Sequence, residues 1–365
     1  MKRSVTLMLV GAGLAAAFAA GFAAGRRGGA GESHPPAEDY EIRGGGHGYT
    51  NPLLECEIAG ERHYRVLRPF GARLGALVAD LRKAGRAVAI AVYFRDLNNG
   101  PWVGYQEQER FVPASLAKMP VVLASFLRAE AVPGFLEQRI VHKGLAEEQD
   151  PGFVSPEANL ERGKSYSVDE LIQRVARYSD NTAARLLAGA LPPGLLEQVY
   201  ADLGIDPARM ASPEPTLSPR EYASFFRVLY NASYLNLPHS EQALRYFDQS
   251  TFELGLVAGV PEGTPVSHKF GVWEGESAGS ASPLQLHDCG IVYHPRRPYL
   301  LCVMTAGKNY VEMSAAIADV SRFVWGEIER NITRAGGPQD IGGLSNCPTT
   351  SRALSFLAGT VSFGQ

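Results

Sequence analysis

A serine followed three residues later by a lysine, in Ser115-Leu116-Ala117-Lys118, opens the apolar run Met119 to Leu127. That pair can do nucleophilic chemistry. A serine hydroxyl is a weak nucleophile until a neighbouring base takes its proton. On a helix, a residue three positions on lies about one turn away on the same face, so the Lys118 amine reaches the Ser115 oxygen. A lysine serves as base only where burial or nearby positive charge lowers its pKa. Phe111, Val112, Met119 and Val121 supply apolar flanks for that purpose. The expected seat of Ser115 is a helix N-terminus, where free N–H groups and the dipole favour developing negative charge. The motif alone is weak: ordinary usage of serine and lysine gives roughly one such spacing by chance in a chain of this size. By itself it reads as an ordinary capping serine.

The elements that must position these groups are legible as periodic patterns. Phe70, Leu74, Leu77 and Leu81 recur at helical spacing and stop before Gly85, which predicts an amphipathic helix with glycine at its C-terminus, after an extended segment to Arg68. Val88 to Arg95 reads as a β-branched strand, Asn98-Asn99-Gly100 as a tight turn and Trp102 to Tyr105 as the returning strand. Residues 131–166 read as loop. Ser167-Val168-Asp169-Glu170 and Ser218-Pro219-Arg220-Glu221 are capping boxes. The first opens a helix that ends at Tyr178-Ser179-Asp180-Asn181, with a second helix from Thr182. The other sends Tyr222, Phe225, Phe226 and Leu229 along one face, as core rather than as a ligand cage. Thr264 to Lys269, Cys289 to His294 and Tyr299 to Val303 read as three consecutive strands, and Met313, Ala316, Ile317, Val320, Val324 and Ile328 as a closing helix. The expected fold class is therefore α/β (α+β): an antiparallel sheet built from both ends of the domain, flanked by N- and C-terminal helices, beside an all-α lobe. The cleft between sheet and lobe is the expected site.

The chain has 365 residues, 45% of them hydrophobic, and a formal net charge of −3, enough for a substantial core and without the basic excess that a nucleic-acid partner requires. Residues 4–25 are uncharged and apolar between Lys2-Arg3 and Arg26-Arg27. They read as a cleaved signal peptide or, favoured by length, an uncleaved membrane anchor. Either places the catalytic part outside the cytoplasmic membrane. The expected organisation is signal or anchor over 1–27, flexible linker over 28–48, catalytic domain over 49–332 and disordered tail over 333–365. Of the four cysteines, Cys56, Cys289, Cys302 and Cys347, the middle two sit on neighbouring strands. If His294 faces Tyr299, Cys289 faces Met304, leaving the pair diagonal, so buried free thiols are expected. No metal-cluster spacing is present. His287-Asp288 with some serine suggests a triad, but without a G-x-S-x-G elbow the two read as a packed strand end.

Ser179-Asp180-Asn181 at the helix junction and His268-Lys269-Phe270-Gly271 on a late strand both follow S-x-x-K, in the order found in class A β-lactamases and penicillin-binding proteins. From Phe70 to Arg330 the sequence resembles the class A β-lactamase-like serine hydrolases. The resemblance implies that Ser115 is the acylated nucleophile, Lys118 its base and Ser179 a proton relay to the departing amine. It further implies that Asn181 binds the substrate's amide side chain, that Lys269 stabilises a substrate carboxylate, and that the oxyanion sits between the N–H groups of Ser115 and Val272, beside Gly271. Asp180 is expected to be structural. No cofactor is implied. The implied partner is a β-lactam or a D-alanyl peptide of the cell wall, and the implied activity is β-lactam hydrolysis, with a D-alanyl-D-alanine carboxypeptidase or a penicillin sensor that acylates and stalls as alternatives.

Two departures from the family pattern stand out. Phe270 replaces the threonine of K-T-G, removing a hydroxyl. The stretch Ala190 to Ser218 is short for the family's glutamate-bearing loop, whose carboxylate holds the deacylating water. Glu214, in Ser212-Pro213-Glu214-Pro215, is the substitute candidate.

Overall fold

Alternating and helical apolar patterns must each bury one face, and here one sheet serves two cores at once. In the computed structural model the described residues are 40–43, 48–57, 63–98, 100–144, 160–275 and 284–334. In chain order the elements are β1 (Tyr40–Arg43), β2 (Leu53–Glu57), α1 (His63–Lys83), β3 (Ala89–Asp96) and β4 (Trp102–Tyr105). A 3₁₀ turn, Ala114–Lys118, then leads into α2 (Met119–Ala131), β5 (Arg139–Val141) and β6 (Ser165–Ser167). The helical lobe continues with α3 (Val168–Tyr178), α4 (Asn181–Ala190), α5 (Leu195–Asp202), α6 (Pro207–Met210), α7 (Pro219–Tyr230) and α8 (Leu237–Asp248). The chain returns to the sheet through β7 (Val266–Glu274), β8 (Leu284–Val292) and β9 (Tyr299–Gly307), and closes with α9 (Tyr310–Arg334).

The five-stranded antiparallel sheet runs β4-β3-β9-β8-β7, so β7 is an edge. Side chains alternate across it. Ala91, Tyr93, Cys289, Ile291, Leu300 and Cys302 face the helical lobe and join its core with Leu116, Met119, Val175, Phe225 and Phe226. Ile90, Val92, Phe94, Leu301 and Val303 face the other way, onto Phe70, Leu74 and Val78 of α1 and Met313, Ile317, Val320 and Val324 of α9. Each such aliphatic side chain removed from water contributes about 1.5–3 kcal/mol. The fold is thus the expected antiparallel sheet with terminal helices on one side and an all-α lobe on the other. Both capping boxes form, Ser167 with Glu170 and Ser218 with Glu221, and Tyr222, Phe225, Phe226 and Tyr230 are buried as core.

Several expectations require correction. The helix α1 begins at His63 and carries Pro69 inside it, where an extended segment to Arg68 was expected. The thiols are not free: β8 and β9 pair Val292 with Tyr299, so Cys289 lies directly opposite Cys302 with Cα atoms 3.9 Å apart, and the two form a disulfide. The displaced register comes from the connection. His294 is not in the strand; its ring is buried and bonds Glu329 at 2.7 Å, while Tyr293 N–H bonds Pro265 O at 3.1 Å. The connection, 293–298, is therefore two residues longer than the expected 295–298, and every cross-strand pair moves by the same two residues.

The expected membrane anchor is not found either: among the described residues no helix is long and apolar enough to cross a membrane. The stretch expected to provide an anchor, 4–25, lies outside the described residues, as do most of the expected linker and tail. The described residues support neither membrane attachment nor, with it, the expected location outside the cytoplasmic membrane.

Candidate active site

Ser115 is held by three backbone anchors. Phe111 makes a two-way bridge to Leu217, N–H to O at 2.9 Å in each direction, tying the approach to the loop before α7. Val112 is bonded to β8. Pro113 O accepts Leu116 N–H at 2.9 Å, closing the 3₁₀ turn that carries the serine. Ser115 is therefore not the first residue of α2, as expected, but lies in a tighter turn that runs straight into it, with Met119 already right-handed helical. Ala114, just before the serine, has φ 49°, a left-handed conformation that costs a non-glycine residue roughly 1 kcal/mol and is kept only where surroundings enforce it. The enforcing neighbour is β7. A Cβ added to Gly271 would stand 3.0 Å from Pro113 O, 3.0 Å from Leu116 Cγ and 3.2 Å from Leu116 N. Only glycine lets the strand pass that close.

Ser179 is placed by a break between helices. It is the C-cap of α3 with φ 59° and ψ 30°, and Asp180 immediately caps α4 by accepting Ala183 N–H at 2.9 Å. Arg174 Nε–H reaches the same carboxylate at 3.2 Å, so Asp180 is structural, as expected. Asn181 opens α4, half-buried, its side chain without a hydrogen-bond partner among the described residues.

Lys269 arrives from the sheet. Lys269, Cys289, Cys302 and Tyr93 form one row across β7, β8, β9 and β3, the row that faces the lobe. Its side chain has no exposed surface. Burial, then the Lys118 charge, push its pKa well below the usual lysine value, while Asp288 opposes them.

These groups converge on one hydroxyl. Lys118 Nζ lies 2.8 Å from Ser115 Oγ, 2.5 Å from Ser179 O and 3.1 Å from Ser179 Oγ. Lys269 Nζ donates to Ser179 Oγ at 2.8 Å and to Phe270 O at 2.6 Å. Ser115, Lys118, Ser179 and Lys269 thus form a continuous chain, with Ser115 and Lys118 half-buried and reachable. The ring of Phe270 stacks on Phe252, centroids 4.4 Å apart, with the Lys269 amine 4.4 Å from its centroid. Where the family carries a hydroxyl, this chain has an aromatic face that joins the second core.

Glu214 is not brought to these groups. It is exposed between α6 and α7 and forms no hydrogen bond or ion pair among the described residues. His287 and Asp288 make no triad: the first bonds Val112 O and the second His268, at 3.0 and 2.7 Å. Gln285 and His287, whose side chains reach the strand of chain before Ser115, have no local sequence signal, because their partner lies 173 and 175 residues away. Among the described residues no group of three or more His, Cys, Asp or Glu side chains is arranged to hold a metal ion.

With this geometry in place, comparison with known proteins gives a consistent answer. A sequence model described as the beta-lactamase enzyme family matches residues 73–328. No curated protein matches the chain. Among solved structures, a mutant of PBP-A in an acyl-enzyme complex with penicillin-G superposes with a TM-score of 0.57 at 21% identity, covering 70% of this chain and 96% of that one. A class A beta-lactamase from Mycobacterium abscessus gives 0.56 at 24%, covering 71% and 99%. The class A beta-lactamase of the last common ancestor of Gram-negative bacteria gives 0.56 at 25%, covering 70% and 99%.

Proposed function

Since the chain belongs to the beta-lactamase enzyme family, we propose that it is an active-site-serine acyl hydrolase with Ser115 as nucleophile. The observation that carries this reading is the Lys118 amine, 2.8 Å from Ser115 Oγ and 3.1 Å from Ser179 Oγ. The Ser179 carbonyl is an acceptor only and takes one N–H of that amine. A neutral Lys118 then has its lone pair for the Ser115 proton. Ser115 Oγ attacks the substrate's amide carbonyl as its proton passes to Lys118 Nζ; the C–N bond breaks, and the proton travels through Ser179 Oγ to the leaving nitrogen. Ser179 Oγ accepts from both Lys118 and Lys269, which uses its two lone pairs and turns its own O–H outward as donor. Lys269 orients that relay. With Lys118 neutral and so no longer repelling it, and with Asp288 favouring its charge, Lys269 is in this scheme the cation that keeps the site electropositive for a substrate carboxylate. Asn181, at the mouth of α4, faces the substrate's amide side chain in this scheme.

The developing oxyanion lies between the N–H groups of Ser115 and Val272. Strand β7 is an edge, and the Phe270 carbonyl accepts from the Lys269 amine, which is not a sheet partner. In an antiparallel strand, backbone groups two residues apart point the same way, so Val272 N–H belongs to the same free edge. Water then hydrolyses the Ser115 ester. The substrate class is a β-lactam or a D-alanyl peptide. The exposed position of Glu214 favours a slow second step, in the extreme a protein that acylates and stalls. Hydrolysis of a chromogenic β-lactam, followed beside D-alanine release from a diacetyl-lysyl-D-alanyl-D-alanine peptide, tests the reading. Turnover of either that is lost in Ser115→Ala supports it; turnover unchanged in Ser115→Ala removes it.

A further inference from the structure

The stretch of chain that carries Ser115 is gripped from the sheet by two buried side chains outside the reacting set. Gln285 and His287 lie two residues apart on β8 and so on one face of it. They are 2% and 0% exposed. Gln285 Oε1 accepts Val112 N–H at 3.0 Å, and His287 Nε2 lies 3.0 Å from Val112 O. One residue's N–H and C=O, three positions before the nucleophile, are therefore both satisfied by side chains rather than by a strand partner. Buried peptide groups left without partners cost roughly 1–3 kcal/mol each.

The imidazole is held in one tautomer. Thr305 N–H donates to His287 Nδ1 at 3.2 Å, so Nδ1 is an acceptor and Nε2 carries the proton that goes to Val112 O. Burial keeps the ring neutral, with a pKa lowered to about 4. The ring of Phe111 packs edge-on against it, centroids 5.4 Å apart. The grip thus runs from the β9 backbone through His287 to Val112, and beyond Val112 the chain has only Pro113 and the left-handed Ala114 before Ser115.

We infer that Gln285 and His287 are positioning residues for the nucleophile, fixing the Val112 peptide so that the strained Ala114 turn presents Ser115 Oγ to Lys118. The inference rests on the proposed role of Ser115. Misplacement of a reacting atom by about 1 Å costs on the order of 10²-fold in rate, and loosening one of two holds should cost about 10-fold.

The test compares His287→Asn with His287→Gln and adds Gln285→Leu. The asparagine amide oxygen takes the place of Nδ1 and keeps Thr305, but cannot reach Val112. The glutamine amide nitrogen takes the place of Nε2 and keeps Val112, but loses Thr305. Two readouts are taken on the full chain: hydrogen exchange of the Val112 to Lys118 amides, and the rate of covalent labelling by benzylpenicillin. The expected result is faster exchange of this segment and about 10-fold slower labelling in His287→Asn and Gln285→Leu, with His287→Gln within about 3-fold of wild type, although both His287 variants lose stability. Equal effects in the Asn and Gln variants, or unchanged exchange in folded Gln285→Leu, would overturn the inference. If wild type is not labelled at all, the proposed function fails while the exchange measurement still decides whether the grip exists.

Discussion

Gly271→Ala puts a single methyl group between the edge strand and the nucleophile's turn. Gly271 has no left-handed backbone requirement, so the whole effect is steric. The new Cβ would lie 3.0 Å from Pro113 O and Leu116 Cγ and 3.2 Å from Leu116 N. Two of those are backbone atoms of the turn, joined to each other by its closing hydrogen bond, and Leu116 is fully buried in the lobe core. None can swing away cheaply. The turn and β7 must separate by a few tenths of an ångström, an overpacking that costs typically 1–3 kcal/mol, or a fall of several degrees in Tm. The same retreat draws Ser115 away from Val272, across the space meant for the oxyanion. If a full ångström is worth on the order of 10²-fold, this displacement should slow acylation about 10-fold. Thermal unfolding and stopped-flow acylation read the two effects. Gly189→Ala is the control: nothing lies within 4 Å of its Cβ, and it sits inside α4, so it should add about 0.5–1 kcal/mol. A Gly271→Ala protein as stable and as quickly acylated as wild type would refute the close-approach argument.

Lys118→Ala should slow acylation by about 10²-fold or more at neutral pH, the usual scale for a lost general base, measured by time-resolved mass spectrometry; an unchanged rate would assign the base elsewhere. Deacylation should be slower than acylation and indifferent to Glu214→Gln, since Glu214 is exposed and bonded to none of the site's groups; rapid-quench measurement of both steps checks this, and a large loss in the variant would place the water at Glu214. Stability should carry a signature of His287. Its unfolded pKa of 6.5 falls to about 4 on burial, so between pH 6.5 and 4 the unfolded chain binds a proton that the folded one refuses, and stability drops as pH falls through that window. A shift of this size corresponds to about 3 kcal/mol. Denaturant titrations at pH 7 and pH 4 should show that much more loss in wild type than in His287→Gln, and equal losses would contradict it.

Much of this arrangement is legible in the chain because it rests on local chemistry. Ser167 and Ser218 announce their helices through glutamates three residues on, and Met313 to Ile328 announces the last helix by period alone. Asp180 reads as a cap because a helix must restart immediately. What escaped depends on distant partners. The register of β8 and β9, and with it the Cys289–Cys302 bridge, turns on a buried His294 reaching Glu329 in α9. The 3₁₀ seat of Ser115 is imposed by Gly271 and Val112 contacts from β7 and β8. The helix α8 carried signals that could have found it: Asn236 as N-cap, Pro238 in the first turn, and Ala243, Leu244 and Phe247 on the buried face. Gln285 and His287 carried none.

The central claim is that Ser115, activated by Lys118 and relayed through Ser179, forms a covalent acyl-enzyme. Intact-mass spectrometry after exposure to benzylpenicillin, followed by peptide mapping, tests it most directly. The account predicts one added penicilloyl mass, located on the peptide containing Ser115 and absent in Ser115→Ala. An adduct on another serine, or one that persists in Ser115→Ala, would contradict it.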